Sequence, residues 1–427
     1  MKIRFYNARI MTMQSGTELT EGEIWVEENR ITLVGDPKEK AAQAPAWNRE
    51  IDARGNLIMP GFKDAHTHSA MTFLRSFADD LPLQDWLNEQ VFPMEAKLLS
   101  EDVVWLCKLA IMEYLTSGIT SNFDMYFLQD SVARASVECG FRTVMTSGLN
   151  DFVSSLEELE ESYQKFNSMS DLIGYRLGFH AEYTTSETLL KGVAELAKKY
   201  QAPVFTHSSE TAKEVQGCVE RHGKTPTAYF DSLGMFDYGG GSYHCVCMSE
   251  EDLDIFKKRG LTAVTCPGSN VKLASGIASI EEMLNRGIHL AVGTDGPASN
   301  NCLDMFREMF LVTGLAKLKG QDAAAVPAEA VLSMAVCGGA SAMGFTDCDC
   351  LAEGKLADLI MIDLHQPNMQ PLNNIAKNIV YSGSKQNVKL TMVNGKILYE
   401  DGRFDIGVEP ETVYDKANEI IQRYTAQ

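Results

Sequence analysis

Between Asn56 and Gly296 the chain repeats one pattern eight times: a short apolar segment, a polar or glycine-rich end, and in most cases a stretch with helical periodicity before the next. The apolar segments are NLIMPGFKDAH, GITSNFDMY, FRTVMTSGL, IGYRLGFHAEY, APVFTHSS, GGSYHCVC, GLTAVTCPG and IHLAVGTDG. Strands that alternate with helices pair in parallel and are covered on both faces, so they read as near-continuous apolar runs. Eight of them are the complement of a closed (β/α)8 barrel, a fold of roughly 250 residues. Among the intervening helices, EDVVWLCKLAIMEYLTSG stops at Gly118 and SETLLKGVAELAKKY has Ser186 as its expected N-cap.

The 427 residues leave room for a smaller second unit, and both ends of the chain change style. IRFYNARIMTM, EGEIWVEENRITLVG and REIDARGNLIMP near the start, with ADLIMIDL and VKLTMVNGKILYEDGRF near the end, read as short strands with turns. Asn394-Gly395 is a strong two-residue hairpin turn. The expected fold is therefore α/β: a TIM-type barrel over residues 59–351, and a small β-sandwich module built jointly from residues 1–58 and 352–427.

The segment ends carry the chemistry. PGFKDAHTHSAM ends an apolar run in His66-Thr67-His68. Residues two apart in a strand share a face, so both imidazoles can reach one point. PVFTHSSE places His207 at another segment end with Glu210 three residues on, GGSYHCVC places His244, and HLAVGTDG places Asp295. Catalytic groups of a barrel enzyme come from the carboxyl ends of different strands. A lone histidine is as often an ordinary hydrogen-bonding residue as a metal ligand, but this set suits one divalent ion, zinc first, with iron or manganese also fitting. Such an ion would lower the pKa of a water toward about 7, which is hydrolytic chemistry. The fourth segment offers no lysine that could be modified to bridge two metals, so one ion is expected. Glu210 is placed for acid–base work beside that water, although a carboxylate favoured at a helix N-terminus would occupy the same position. His244 is either a further ligand or a group that polarises water and substrate.

A formal net charge of −20 repels polyanions, so neither nucleic acid nor an anionic membrane surface is an expected partner. MKIRFYNARIMTM alternates like a strand and lacks a signal-peptide core, and no apolar run approaches the ~18 residues of a membrane span. A cytoplasmic location is expected. Ten cysteines are too sparse for a disulfide scaffold. Cys245/Cys247 and Cys348/Cys350 are too closely spaced within each pair for a usual structural zinc site, and alternation would turn Cys245 and Cys247 away from His244. The acidic run Glu157–Glu161 reads as a solvated helix face.

PGFKDAHTHSAMTFLRSFADDLPLQDWL, VFPMEAKL, THSSE, YHCVCMSE, CPGSNVKLASGIA, GTDGPASNN and GKLADLIMIDL, in this order along nearly the whole chain, resemble the amidohydrolase superfamily. Within it they resemble the branch of 5'-methylthioadenosine and S-adenosylhomocysteine deaminases, related also to triazine chlorohydrolases. The resemblance implies hydrolytic deamination of an adenine nucleoside to its inosine analogue with release of ammonia, a cyclic-amidine deaminase acting on a C–N bond other than a peptide bond. It implies His66, His68, His207 and Asp295 as metal ligands and Glu210 as proton shuttle to the purine. Asp295 would also accept a proton from the attacking water, and His244 would orient that water. Glu95 matches the residue that accepts from both ribose hydroxyls, His180 the one that contacts the adenine ring, and Trp86 and Ser299 positions that line the pocket. A homo-oligomer is the family expectation. Members that hold the homocysteine carboxylate present an arginine where this chain has Ser147. Without a guanidinium fork, methylthioadenosine, adenosine or 5'-deoxyadenosine fit better than S-adenosylhomocysteine. The rival readings are the same chemistry on another aromatic N-heterocycle (pterin, oxidised guanine, triazine) and a non-catalytic binding or assembly protein on a degenerate barrel.

Overall fold

A computed structural model describes residues 1–38, 40, 42, 44–77, 79–81 and 85–425. The first five strands are β1 (Lys2–Met11), β2 (Leu19–Glu27), β3 (Arg30–Gly35), β4 (Arg49–Asp52) and β5 (Leu57–Pro60). They are followed by β6 (Phe62–Thr67), β7 (Ile119–Met125), β8 (Arg142–Thr146), β9 (Ile173–Gly178), β10 (Val204–Ser208), β11 (Gly240–His244), β12 (Thr262–Thr265) and β13 (His289–Val292). These eight form one parallel sheet in sequential order, β6 to β13. All eight expected segments are strands of it. The sheet curls until its two edges meet: the Asp295 amide donates to the His66 carbonyl at 2.9 Å, and buried Asp64 accepts from the Thr294 amide at 2.8 Å and from its hydroxyl at 2.6 Å. The first and last strands are thus joined at the level where His66 and Asp295 leave them. Inside, Ala65, Phe123, Val144, Phe205, Tyr243, Val264 and Ala291 fill the barrel.

The chain closes with β14 (Leu359–Ile362), β15 (Val388–Val393), β16 (Lys396–Glu400) and β17 (Arg403–Phe404). β1–β5 and β14–β17 share a second, mixed sheet in which β5 pairs antiparallel with β14. It has a core of its own, including Ile3, Phe5, Ile24, Ile58, Leu359 and Leu390. Asn394 (φ 51°) and Gly395 (φ 76°) turn between β15 and β16. Two consecutive positive φ values are what a two-residue hairpin of this type requires. Not all of the C-terminal part stays with this sheet. The helix Pro410–Thr425 lies against the barrel helix Ser100–Thr116, with Tyr424 and Arg423 both held by Asp102.

Helix termini follow the sequence signals with one exception. Helix Ser100–Thr116 is followed by Gly118 at φ 75°, whereas Ser186 occupies the N-cap of Glu187–Tyr200 without lending its side chain. Among the described residues no helix is long and apolar enough to cross a membrane.

Candidate active site

The side chains singled out in the sequence converge at the carboxyl ends of the barrel strands. His66 Nε2 lies 3.1 Å from His207 Nε2 and 3.6 Å from Asp295 Oδ1, and His68 Nε2 lies 3.3 Å from the same carboxylate oxygen. His244 joins them: its ligand atom lies within 4.8 Å of those of His66 and Asp295. Simple strand alternation is not how the first pair converges. β6 shifts register between Asp64 and Thr67 and ends there, and His68 starts a tight 3-10 turn at Ser69–Leu74. The bulge and turn bring the two rings to a centroid separation of 4.8 Å at 84°. Tyr243, inside the barrel, stacks on His66 at 3.7 Å and supports the group from below.

Tautomers test whether this set fits a cation. His68 Nδ1 faces the Met125 carbonyl at 2.6 Å and His207 Nδ1 faces the His180 carbonyl at 2.8 Å. A carbonyl only accepts, so each Nδ1 carries the proton and each Nε2 turns a lone pair toward the centre. His66 Nδ1 has no hydrogen-bond partner, while its Nε2 faces that of His207. Three imidazole nitrogens and a carboxylate oxygen directed at one buried point form a donor set for a divalent metal ion.

The backbone is bent to aim these groups. Ser209 (φ 54°), His244 (φ 71°) and Asp295 (φ 58°) are left-handed, a conformation that costs a non-glycine residue on the order of 1 kcal/mol and clusters at functional sites. At Cys245 (φ 50°) the strand has already ended, so the alternation expected to turn the Cys245/Cys247 pair away from His244 does not operate there. All ten cysteines are free thiols, and none belongs to the metal-capable groups among the described residues.

Glu210 is buried beside the cluster, with Oε2 3.9 Å from His244 Nε2 and Oε1 accepting from the Ser275 hydroxyl at 3.3 Å. Burial raises its pKa; His244 pulls it down and the Asp295 charge pushes it up again. Its position just before helix Ala212–His222 satisfies the helix-terminus alternative as well, but the N-cap is Thr211, and Glu210 lines the cavity. Asp295 accepts from the Gly296 amide at 2.7 Å and from the Ser299 hydroxyl at 2.8 Å. Burial works against its charge, but the facing histidines hold it well below the usual carboxylate range.

These groups open into a cavity of about 1110 Å³, lined also by Trp86, Glu95, Ser147, His180 and Ser299. Burial pushes the Glu95 carboxyl up to about 7. Burial and the neighbouring imidazoles push His180 down to about 4, so it is neutral at pH 7, with Nδ1 2.8 Å from the Thr184 hydroxyl. In the acidic run Glu157, Glu158 and Glu161 are exposed, as a solvated helix face requires, and Glu158 and Glu161 also border the outer cavity. Ser147 Oγ accepts from the Leu149 amide at 3.0 Å. Lys165 supplies the lining's lysine or arginine charge among the described residues, and it is ion-paired with Asp130.

Two supporting residues escaped the sequence reading. Asn270 Oδ1 takes the His244 Nδ1 proton at 2.9 Å, which leaves His244 Nε2 facing the cavity. Glu214 accepts the amides of Ser209 and Glu210, both at 2.8 Å. Glu214 had a local signal, the Thr211–Glu214 capping box. Asn270 had none, because its partner is distant in sequence.

A model of the amidohydrolase family matches residues 57–398. The chain belongs to the amidohydrolase family. A 5-methylthioadenosine/S-adenosylhomocysteine deaminase of Thermoanaerobacter pseudethanolicus is 37% identical over 437 residues, covering 99% of this chain and 100% of that protein. A 5'-deoxyadenosine deaminase of Methanopyrus kandleri is also 37% identical, over 94% of each. Among solved structures, an adenosine deaminase from Xanthomonas campestris with bound zinc superposes at a TM-score of 0.92 with 30% identity, covering 100% of this chain and 98% of that one.

Proposed function

We propose that this amidohydrolase is a metal-dependent adenine-nucleoside deaminase, releasing ammonia and the inosine analogue. The observation that carries the reading is a buried acid–base carboxylate, Glu210, set beside a donor set for one divalent ion at the floor of a cavity large enough for a nucleoside. Relatives named for this reaction over the whole length of the chain support it.

His66, His68, His207 and Asp295 would hold the ion, zinc by their donor chemistry. When bound, the ion supplies Lewis acidity that makes water nucleophilic at neutral pH. Glu210, buried beside His244 and lining the cavity, would carry a proton from the attacking water to the ring nitrogen next to the amino-bearing carbon. Asp295 accepts the second proton and returns it to the departing amine, which leaves as ammonia, and His244, held by Asn270, orients the water. Above them, His180 borders the adenine, Glu95 accepts from the ribose hydroxyls, and Trp86 walls the pocket; Ser299 steadies Asp295.

With Lys165 already paired, the lining offers no free lysine or arginine to a carboxylate among the described residues, which favours methylthioadenosine, adenosine or 5'-deoxyadenosine over S-adenosylhomocysteine. Residues 1–58 with 352–427, and residues 59–351, are proposed as the two domains, on the strength of their separate sheets. Ten free thiols suit a cytoplasmic protein. Exposed Phe310 and Leu318, eight residues apart on helix Met305–Gly320, suit a homo-oligomer contact.

The test is ammonia release by metal-replete enzyme from adenosine, methylthioadenosine, 5'-deoxyadenosine and S-adenosylhomocysteine, beside guanine, pterin and triazine. Turnover of the carboxylate-free nucleosides is expected. Activity confined to the other heterocycles overturns the nucleoside reading.

A further inference from the structure

Tyr126 follows the last residue of β7 and lines the cavity with its ring buried. Its position is fixed from several sides. The preceding Met125 carbonyl takes the His68 Nδ1 proton, the Tyr126 carbonyl accepts from Gln129 Nε2 at 3.3 Å, and the ring stacks on Phe127 at 4.5 Å. The phenol stands within polar reach of Glu95, whose pKa it draws back down against the effect of burial. Yet neither the Tyr126 hydroxyl nor Glu95 Oε1 completes a hydrogen bond.

Two buried polar atoms left unsatisfied each carry an uncompensated desolvation cost. A ligand that satisfied both would recover that cost on binding. The pair is selective about what does so. A carboxylate or phosphate would meet the Glu95 charge, and an apolar group would leave both atoms unpaired. An alcohol can donate to the carboxylate while accepting from the phenol. We infer that Tyr126 is a specificity-determining residue that, together with Glu95, reads a sugar hydroxyl of the nucleoside. This deepens the deaminase reading and rests on it.

The free protein supplies the discriminating feature. The Tyr126 hydroxyl stands near Glu95 but completes no hydrogen bond in it, so Tyr126→Phe should leave the melting temperature unchanged or slightly raised, which a structural hydroxyl would not do. On the ribonucleoside, kcat/KM should fall about tenfold, the value of one hydrogen bond of about 1.4 kcal/mol, mainly through KM. On whichever of the 2'-deoxy and 3'-deoxy analogues lacks the hydroxyl being read, wild type and variant should be alike. Equal losses on all three substrates, no loss on the ribonucleoside, or a lowered melting temperature would overturn the assignment. Wild-type silence on every nucleoside sinks the deaminase reading as well, and the wild-type measurements alone distinguish that failure.

Discussion

The barrel buries two polar clusters, one at each end of its strands, and they obey opposite rules. At the amino ends, Arg142 grips Asp358 through two bonds of 2.7 and 3.2 Å and donates to the Asp171 carbonyl at 2.8 Å, while Asp358 also accepts the Asn394 amide at 2.7 Å. Nearby, Lys63 Nζ donates to Thr120 Oγ1 at 2.6 Å. Opposite charges meet, and the cluster ties β8 to the terminal sheet. At the carboxyl ends, imidazoles turn lone pairs toward one another and toward a carboxylate, and His66 Nδ1, Glu95 Oε1 and the Tyr126 hydroxyl have no partner. The first cluster is complete as it stands; the second is complete only with something added. Burial and polarity alone do not mark a functional site; the convergence of several ligand-capable atoms on one buried point does.

Stripping metal is the largest test of that contrast. Dialysis against a chelator should abolish ammonia release, zinc should restore it, and metal analysis should find one ion per chain. Activity that survives with no bound ion breaks the contrast. Glu210→Gln comes next, with kcat expected to drop ~10²–10⁴-fold, the usual share of general acid–base catalysis, at unchanged metal content. A variant of near-normal rate would take Glu210 out of the mechanism. The paired cluster should respond in the other way. Arg142→Ala strands a buried carboxylate and should cost about 3–5 kcal/mol of stability, read by denaturant titration, while the molecules still folded keep their kcat.

Titration sharpens the same difference. Burial opposes the Asp358 charge but Arg142 prevails, so its folded pKa lies below the unfolded value of 3.8. Its stabilisation is therefore present above that value and lost as pH falls below it toward the folded pKa. Behind the mouth, burial pushes Glu308 up to about 8 despite bonds from the Gly268 amide at 2.8 Å and Asn300 Nδ2 at 2.9 Å. Its contribution has the opposite sign: it is full below the unfolded pKa of 4.5 and lost as pH rises through 8. The melting temperature of Glu308→Gln should vary less between pH 6 and 9 than that of wild type. The smallest effect is expected from Ser147→Arg, which should improve kcat/KM for S-adenosylhomocysteine severalfold relative to methylthioadenosine. An unchanged ratio would show that the cavity does not place the carboxylate near residue 147.

The eight strands were legible because a parallel barrel needs eight apolar runs, and each is continuous in sequence. His207 and His244 were legible for a related reason: β10 and β11 pair with Ser208 opposite His244, so consecutive strands deliver consecutive side chains to one rim. The His66/His68 pair was found for an incomplete reason, since a bulge and a tight turn, not alternation, bring the rings together. Glu158 and Glu161 are solvent-facing as read, but that they also border the cavity was not legible, because helical periodicity does not reveal what lies beside a helix.

The amino-acid sequence by itself determined the kinds of group available and their order along the barrel rim, because strand ends and side-chain chemistry are local properties. Only the tertiary structure decided the hydrogen-bond partner of each. The carbonyls that set the tautomers of His68 and His207, the Asn270 amide that aims His244 and the Tyr126 phenol beside Glu95 come from other segments of the chain. Whether a buried polar atom is satisfied depends on contacts made across the fold, and no local pattern encodes them.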